Sequence, residues 1–216
     1  MKLESTALLP EYFNGQRSDV ANLVPENCKR ILDVGCGFGG LGRTLLSRGS
    51  QQVYGVELNP AAESRLSGVY TDYWIGDVET VDIPADVEPF DCIIFSDVLE
   101  HLRDPWVTLR RYCQLLRPDG YVVASIPNVR NIGLLYNLII RGKWRYEDSG
   151  LLDRTHLRFF TKKSIEELFD GAGLRIERWK MNRDDHTGLR KALATVAKLC
   201  ISDIDVCQYL VVARKQ

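Results

Sequence analysis

Three glycines, Gly35, Gly37 and Gly39, stand in the string ILDVGCGFGGLG, with Asp33 just ahead of them. Glycines in such a turn permit a tight bend and let the main chain approach a ligand closely. Glu57 follows in VYGVEL and Asp77 in IGDVE. An acid in the position of Glu57 can accept hydrogen bonds from ribose hydroxyls. Gly35-Cys36-Gly37-Phe38-Gly39 reads GxGxG. Further along, His101 lies in SDVLEHL and His156 in LLDRTHLRFFT. An imidazole is suited to accept a proton near neutral pH. Each has a plainer alternative: a cap or packing role for His101, a latch on a backbone carbonyl for His156. His186, in RDDHTG, reads as a surface loop. Arg154 and Arg158, four apart around His156, offer forked donors for phosphate or carboxylate. Their alternative is an internal ion pair with Asp153 or Glu147.

These residues need a scaffold, and the periodicity supplies one. Short apolar runs predict strands over 30–35, 52–58, 72–78, 90–98 and 121–127. Between them, leucines at helical spacing predict helices over 40–49 and 61–68, and over 105–120 closed by Pro-Asp-Gly. Alternating strands and helices of this kind predict an α/β fold with a parallel sheet covered on both faces. The glycine loop, Glu57 and Asp77 then fall at the carboxyl ends of successive strands, where open α/β sheets bind ligands. Residues 128–160 break the pattern. A helix over 161–173 follows, with Thr161 as N-cap and Glu166 and Glu167 behind it. Strands are predicted over 174–182 and 207–215, separated by an amphipathic helix over 189–200. That helix carries Leu189, Leu193, Val196 and Cys200 on one side. It reads as covering its own core, with an oligomer contact as the alternative.

In combination, these strings resemble the class I S-adenosylmethionine-dependent methyltransferases. The resemblance is carried over residues 28–127 by LDVGCGFGG, VYGVEL, IGDVE and FSDVLEHL. It implies a Rossmann-like, seven-stranded, mostly parallel sheet whose last strand is antiparallel, with a lid insertion after the fifth strand. It also implies S-adenosyl-L-methionine as cofactor and S-adenosyl-L-homocysteine as product. Asp33, Gly35, Cys36, Gly37 and Gly39 would cradle the methionine part. Glu57 and Leu58 would hold the ribose, and Asp77 and Val78 would flank the adenine. Ser96, Asp97 and Leu99 would lie under the cofactor near the acceptor, with His101 beside them.

The strings SIPNVRNIGLLYNLIIRGKWRYEDSG and RTHLRFFT look like a narrower branch, small methyltransferases associated with glycosyltransferases of cell-surface polysaccharide synthesis. That resemblance implies a small-molecule or glycan acceptor, with a glycosyltransferase or a second copy of the chain as candidate partner. Asn128, Arg130, Trp144, Tyr146, Arg154 and Arg158 are the candidate acceptor-binding residues, since sugars stack on aromatic faces. His156 and His101 are the candidate catalytic residues. The leading activity is O-methylation of a sugar or other small hydroxylated acceptor. Alternatives are N-methylation of an amino sugar or small amine, and a non-catalytic S-adenosylmethionine-binding regulator of a partner enzyme. The apolar segment IGLLYNLIIRGKW suits a lid, a dimer contact or a membrane-surface element.

Composition narrows the field. The 216 residues are 45% hydrophobic and 26% charged, with a formal net charge of −1, as in an ordinary globular chain of one domain. No basic excess recruits nucleic acid, and no Asn/Asp-Pro-Pro-Tyr string follows the fourth strand. The six cysteines form no CxxC pair, which argues against a structural zinc site, and no metal is expected. Cys36, Cys92 and Cys113 read as core thiols. MKLESTALLPEYF lacks an apolar core for a secretory signal, and no run has the length of a membrane span. The expectation is a reduced, cytoplasmic protein.

Overall fold

The computed structural model describes residues 16–84, 86–185 and 187–216. His186, the start of the chain and the Leu189 side chain lie outside the described part. Seven strands form one sheet: β1 (Arg30–Val34), β2 (Gln52–Glu57), β3 (Asp72–Ile75), β4 (Phe90–Ser96), β5 (Leu116–Pro127), β6 (Leu174–Arg183) and β7 (Val206–Lys215). Their order is β3-β2-β1-β4-β5-β7-β6. Neighbouring strands from β3 to β5 are parallel. β7 runs antiparallel to both β5 and β6, so the expected sheet with its antiparallel last strand is the one observed.

The reason lies in the strand sequences. Arg30–Val34 and Phe90–Ser96 are almost wholly buried runs, as central strands covered on both faces must be. Alternate residues feed two cores. Leu32, Val34, Ile93, Phe95, Val122 and Ala124 pack on one face. Ile31, Cys92, Ile94, Val123, Leu210 and Val212 pack on the other. Strand order reverses between β1 and β4, which opens a crevice at the carboxyl ends of these strands.

The helices are α1 (Ser18–Ala21), α2 (Gly40–Ser47), α3 (Glu63–Leu66), α4 (Pro105–Cys113), α5 (Ile132–Leu135), α6 (Lys162–Asp170) and α7 (Gly188–Ala197). Asp104 caps α4 by accepting from the Val107 N–H at 2.9 Å, with Pro105 at the first helical position. Thr161 caps α6 as expected, in a capping box whose partner is Ser164.

Three expectations shift. α4 ends at Cys113, and the Arg-Pro-Asp-Gly segment belongs to β5, where the register slips between Phe90 and Cys92. Asp119 there is left-handed, φ 61°, and Arg117 pairs with Asp91 at 2.8 Å. β3 stops at Ile75, because the Asp77 carboxylate accepts from the Glu79 N–H at 2.8 Å and closes a turn. α7 buries Ala194 against Ile132 and Ile204 of a small separate cluster. Leu193, Val196 and Cys200, expected on its buried side, are exposed. Among the described residues, no helix is long and apolar enough to cross a membrane.

Candidate functional site

The loop between β1 and α2 is bare backbone. Gly35, Gly37 and Gly39 all have positive φ, 72°, 54° and 80°. At Gly35 a β-carbon would lie 2.6 Å from the Val98 side chain, so the end of β4 presses directly on the loop. At Gly42 a β-carbon would lie 2.4 Å from the Tyr70 ring. The missing side chain lets Tyr70 reach under the loop and donate its hydroxyl to Asp33 Oδ2 at 2.8 Å.

Glu57 ends β2 with both carboxylate oxygens in use. Oε2 accepts from the Gly37 N–H and Oε1 from the Asn59 N–H, each at 2.8 Å. The acid thus ties the glycine turn to the next strand. Leu58 beside it is 65% exposed. Val78 is buried, and its carbonyl accepts from Arg111 and Tyr112. Burial pushes the Asp33 carboxyl up to about 7, opposed by the Tyr70 hydroxyl and aided by the negative charge of Glu57. Burial raises the Cys36 thiol too.

At the carboxyl end of β4, Asp97 is left-handed, φ 57°. Its side chain accepts from Ser125 Oγ at 2.9 Å and from Gln208, and it pairs with Arg17. Three segments therefore hold one strained residue in place. Ser96 Oγ is buried with no partner among the described residues. Leu99 has no exposed surface and packs in the core.

Next to Asp97 the chain turns through Leu99–His101. The Glu100 carbonyl accepts from the N–H groups of Leu157 and Arg158, at 2.8 and 2.9 Å. This stitches the insertion to the turn and brings the two histidines together. Their ring centroids are 4.7 Å apart, with planes at 70°. His101 Nδ1 lies 3.2 Å from the Thr155 carbonyl and 3.0 Å from Thr155 Oγ1. His156 Nδ1 lies 3.2 Å from the Leu151 carbonyl. Burial lowers the pKa of both imidazoles, which favours their neutral forms. Between them the Glu100 carboxyl is 1% exposed, and burial pushes it up to about 8.

The expected acceptor residues divide. Asn128 is fully buried and spent on structure: Nδ2 donates to the Asp203 and Val206 carbonyls, and Oδ1 accepts from the Arg130 N–H. This corrects its assignment to the acceptor site, for no donor or open face remains. Arg158 donates to the Arg103 carbonyl and lies over Trp106, 5.7 Å from the ring centre. Arg154 pairs with Asp148 at 2.7 Å in the open. Neither pairs with Asp153 or Glu147 among the described residues. Arg130 lies 3.9 Å from Asp203. Trp144 meets Phe159 edge to face at 5.4 Å, and Tyr146 is half-exposed.

Glu100, Arg17 and Tyr70 are site residues that the motifs did not flag. Glu100 sits inside a quoted string, but His156, Leu157 and Arg158, which meet it, come from 50 and more residues away. Tyr70 reaches Asp33 across 37 positions, a separation without a local signal.

A family profile described as a methyltransferase domain matches residues 11–178. A ubiquinone biosynthesis O-methyltransferase of Xylella fastidiosa is 30% identical over 176 residues, 74% of this chain and 70% of that one. Among solved structures, an S-adenosylmethionine-dependent methyltransferase of Mesorhizobium loti superposes with a TM-score of 0.63 at 19% identity, covering 91% and 96% of the two chains. The magnesium protoporphyrin IX methyltransferase of Synechocystis, solved with bound S-adenosylhomocysteine, gives 0.60 at 18% identity, covering 95% and 84%. At these identities the structural likeness speaks for the fold, and the family match carries the assignment. The chain belongs to the methyltransferase-domain family, as a class I S-adenosylmethionine-dependent methyltransferase.

Proposed function

We propose that the protein methylates a hydroxyl of a small acceptor and releases S-adenosylhomocysteine. The observation that carries this reading is the pair of imidazoles, His101 and His156, packed edge to face beside the strand-end crevice. The donor side fits S-adenosylmethionine. A turn with three positive-φ glycines keeps the backbone bare, Glu57 offers an acid for hydroxyls, and exposed Leu58 with Asp77 and Val78 offers a place for a flat ring. When bound, the cofactor supplies a methyl group already activated on sulfur. The protein's own tasks are then to align the acceptor, exclude water and take the hydroxyl proton. His156 receives that proton in this reading, with His101 packed against it. Residues 128–160 form the acceptor-side insertion of a single domain, with Trp144 and Tyr146 on its rim.

The relatives named as ubiquinone biosynthesis O-methyltransferases support oxygen as the methylated atom and favour a phenolic acceptor. The exposed aromatic rings, and the likeness to the glycosyltransferase-associated branch, support a sugar. In the sugar reading the enzyme works in the cytoplasm beside a glycosyltransferase or a second copy of itself. The test is S-adenosylhomocysteine release over time from the purified chain with catechol-type phenols, nucleotide sugars and amino sugars. Turnover on a phenol or a sugar hydroxyl supports the reading. Turnover confined to amines overturns it in favour of N-methylation.

A further inference from the structure

Tyr70 stands in a slot made of three glycines, one each from a turn, a helix and a strand. A β-carbon would lie 2.9 Å from its ring at Gly39 in the turn, 2.4 Å at Gly42 in α2 and 3.1 Å at Gly55 in β2. The ring fills the space that these residues leave. Its hydroxyl ends at Asp33 Oδ2, 2.8 Å away. Burial, and after it the Asp33 charge, pushes this hydroxyl well above its usual range, so it keeps its proton and donates. Four ionisable groups face Asp33. Glu57 on β2 disfavours its charge, while Tyr70 and Arg17 favour it. The Cys36 thiol, pushed up by burial and by Asp33, stays neutral. The Arg17 guanidinium pairs with Asp97 and Asp19. Among the described residues, Tyr70 is the one side chain that hydrogen-bonds Asp33.

We propose that Tyr70 is a positioning residue of the methyl-donor site: its ring props the glycine turn, and its hydroxyl holds Asp33 as an anion for the ammonium group of the donor's methionine part. Tyr70 acts here through Asp33 and the backbone, and touches no donor atom itself. The ring does the first task by shape. Gly39 ends the turn and Gly42 lies in the helix that follows it, and both close on the same ring. The hydroxyl does the second by its proton. A carboxylate buried under a bare turn loses its hydration, and an O–H bond to the charged form offsets part of that cost. Burial leaves Asp33 at about 7 even with that bond in place, so the group is half ionised near neutral pH. Without the bond the neutral form would prevail there, and a cation would meet no counter-charge. The proposal rests on the reading of this turn as the methyl-donor site.

The experiment is a calorimetric titration of the full chain with S-adenosylhomocysteine, which keeps that ammonium group, between about pH 6 and 9, where Asp33 changes charge. Tyr70→Phe keeps the ring and removes only the proton. Loss of a hydrogen bond to the charged form should raise the Asp33 midpoint by about one pH unit or more. Affinity near pH 7 should then fall about fivefold or more, and return toward wild type by about pH 9. The probe's own titration cancels, because both proteins are read at the same pH. In an Asp33→Asn background, Tyr70→Phe should leave the profile unchanged. A hydroxyl that only braces the fold would instead weaken binding equally at every pH. The slot has its own readout in the melting temperature. Gly42→Ala should lower it in wild type and raise it in Tyr70→Leu, because leucine stops short of Gly42 and alanine is the better helix former. If Tyr70→Leu fails to fold, the Tyr70→Phe profile still decides. Wild type that binds no S-adenosylhomocysteine overturns the donor reading of the turn and this proposal with it. Wild type that binds, with a Tyr70→Phe profile equal to it or lowered evenly across the range, overturns this proposal alone. So does a Gly42→Ala shift of the same sign in both backgrounds.

Discussion

The two ends of the crevice are held by opposite means. On the glycine-loop side, proposed to hold the donor, the main chain lines the crevice, and side chains work from beneath it. Glu57 grips the amides of Gly37 and Asn59, while Tyr70 supports Asp33 under the loop. On the acceptor side the main chain does the fastening, as when the Glu100 carbonyl takes two amides from the insertion. The side chains His101, His156 and Glu100 are then left pointing at one another. The donor side is built so that replacing any member shifts backbone. The acceptor side is built so that side chains can change while the frame stays.

Each half can be broken separately. The largest effect is expected at His156. His156→Ala should lower turnover by about 10² or more, the range for a lost proton-transfer group. Cofactor affinity measured by calorimetry should stay within about twofold. Parallel loss of both would mean that the residue holds the frame, and the contrast between the halves would fail. Glu57→Ala comes next. It strips two charge-assisted bonds from backbone amides, about 1.5–3 kcal/mol each. Cofactor Kd should rise on the order of 100-fold, with a lower melting temperature.

A third effect separates the halves by pH. The Asp33 carboxyl, pushed up to about 7 from 3.8 by burial, keeps in the folded state a proton that the unfolded chain releases. Its contribution to stability is present in full below about 4 and is lost as the pH rises to about 7. Wild type should therefore lose more stability than Asp33→Asn between pH 4 and 7, read as urea midpoints, with equal slopes above that window. The smallest effect is expected at Arg158. Its bonds to the Arg103 carbonyl are exposed, so Arg158→Ala should cost about 1 kcal/mol or less in denaturant unfolding.

The donor side was legible in the chain because its parts are local. A glycine turn after an apolar strand and acids at the next strand ends are one-dimensional patterns, and Gly35, Glu57 and Asp77 stand near where those patterns put them. The acceptor side was legible only in name. His101 and His156 were singled out, but their pairing depends on the backbone stitch from Glu100 to Leu157 and Arg158. Glu100 reads as one more surface charge until that stitch buries it. Asn128 failed as an acceptor residue for a related reason. Its partners, Asp203 and Val206, come from the far end of the chain. The face that α7 buries was misread because its small residues, Ala194 and Ala197, make the close contact while its larger ones face out.

The place of β7 bears on how the molecule is made. Among the described residues β6 has no sheet neighbour other than β7, and β5 meets β7 on its outer side. During synthesis, residues 174–183 are made before residues 206–215. β6 must wait unpaired, and the edge of β5 stays open until the later strand slides between them. At about 5–20 residues per second this interval lasts some seconds. The parallel half can close early, so the nascent chain is most exposed to wrong pairing on the side that carries the insertion.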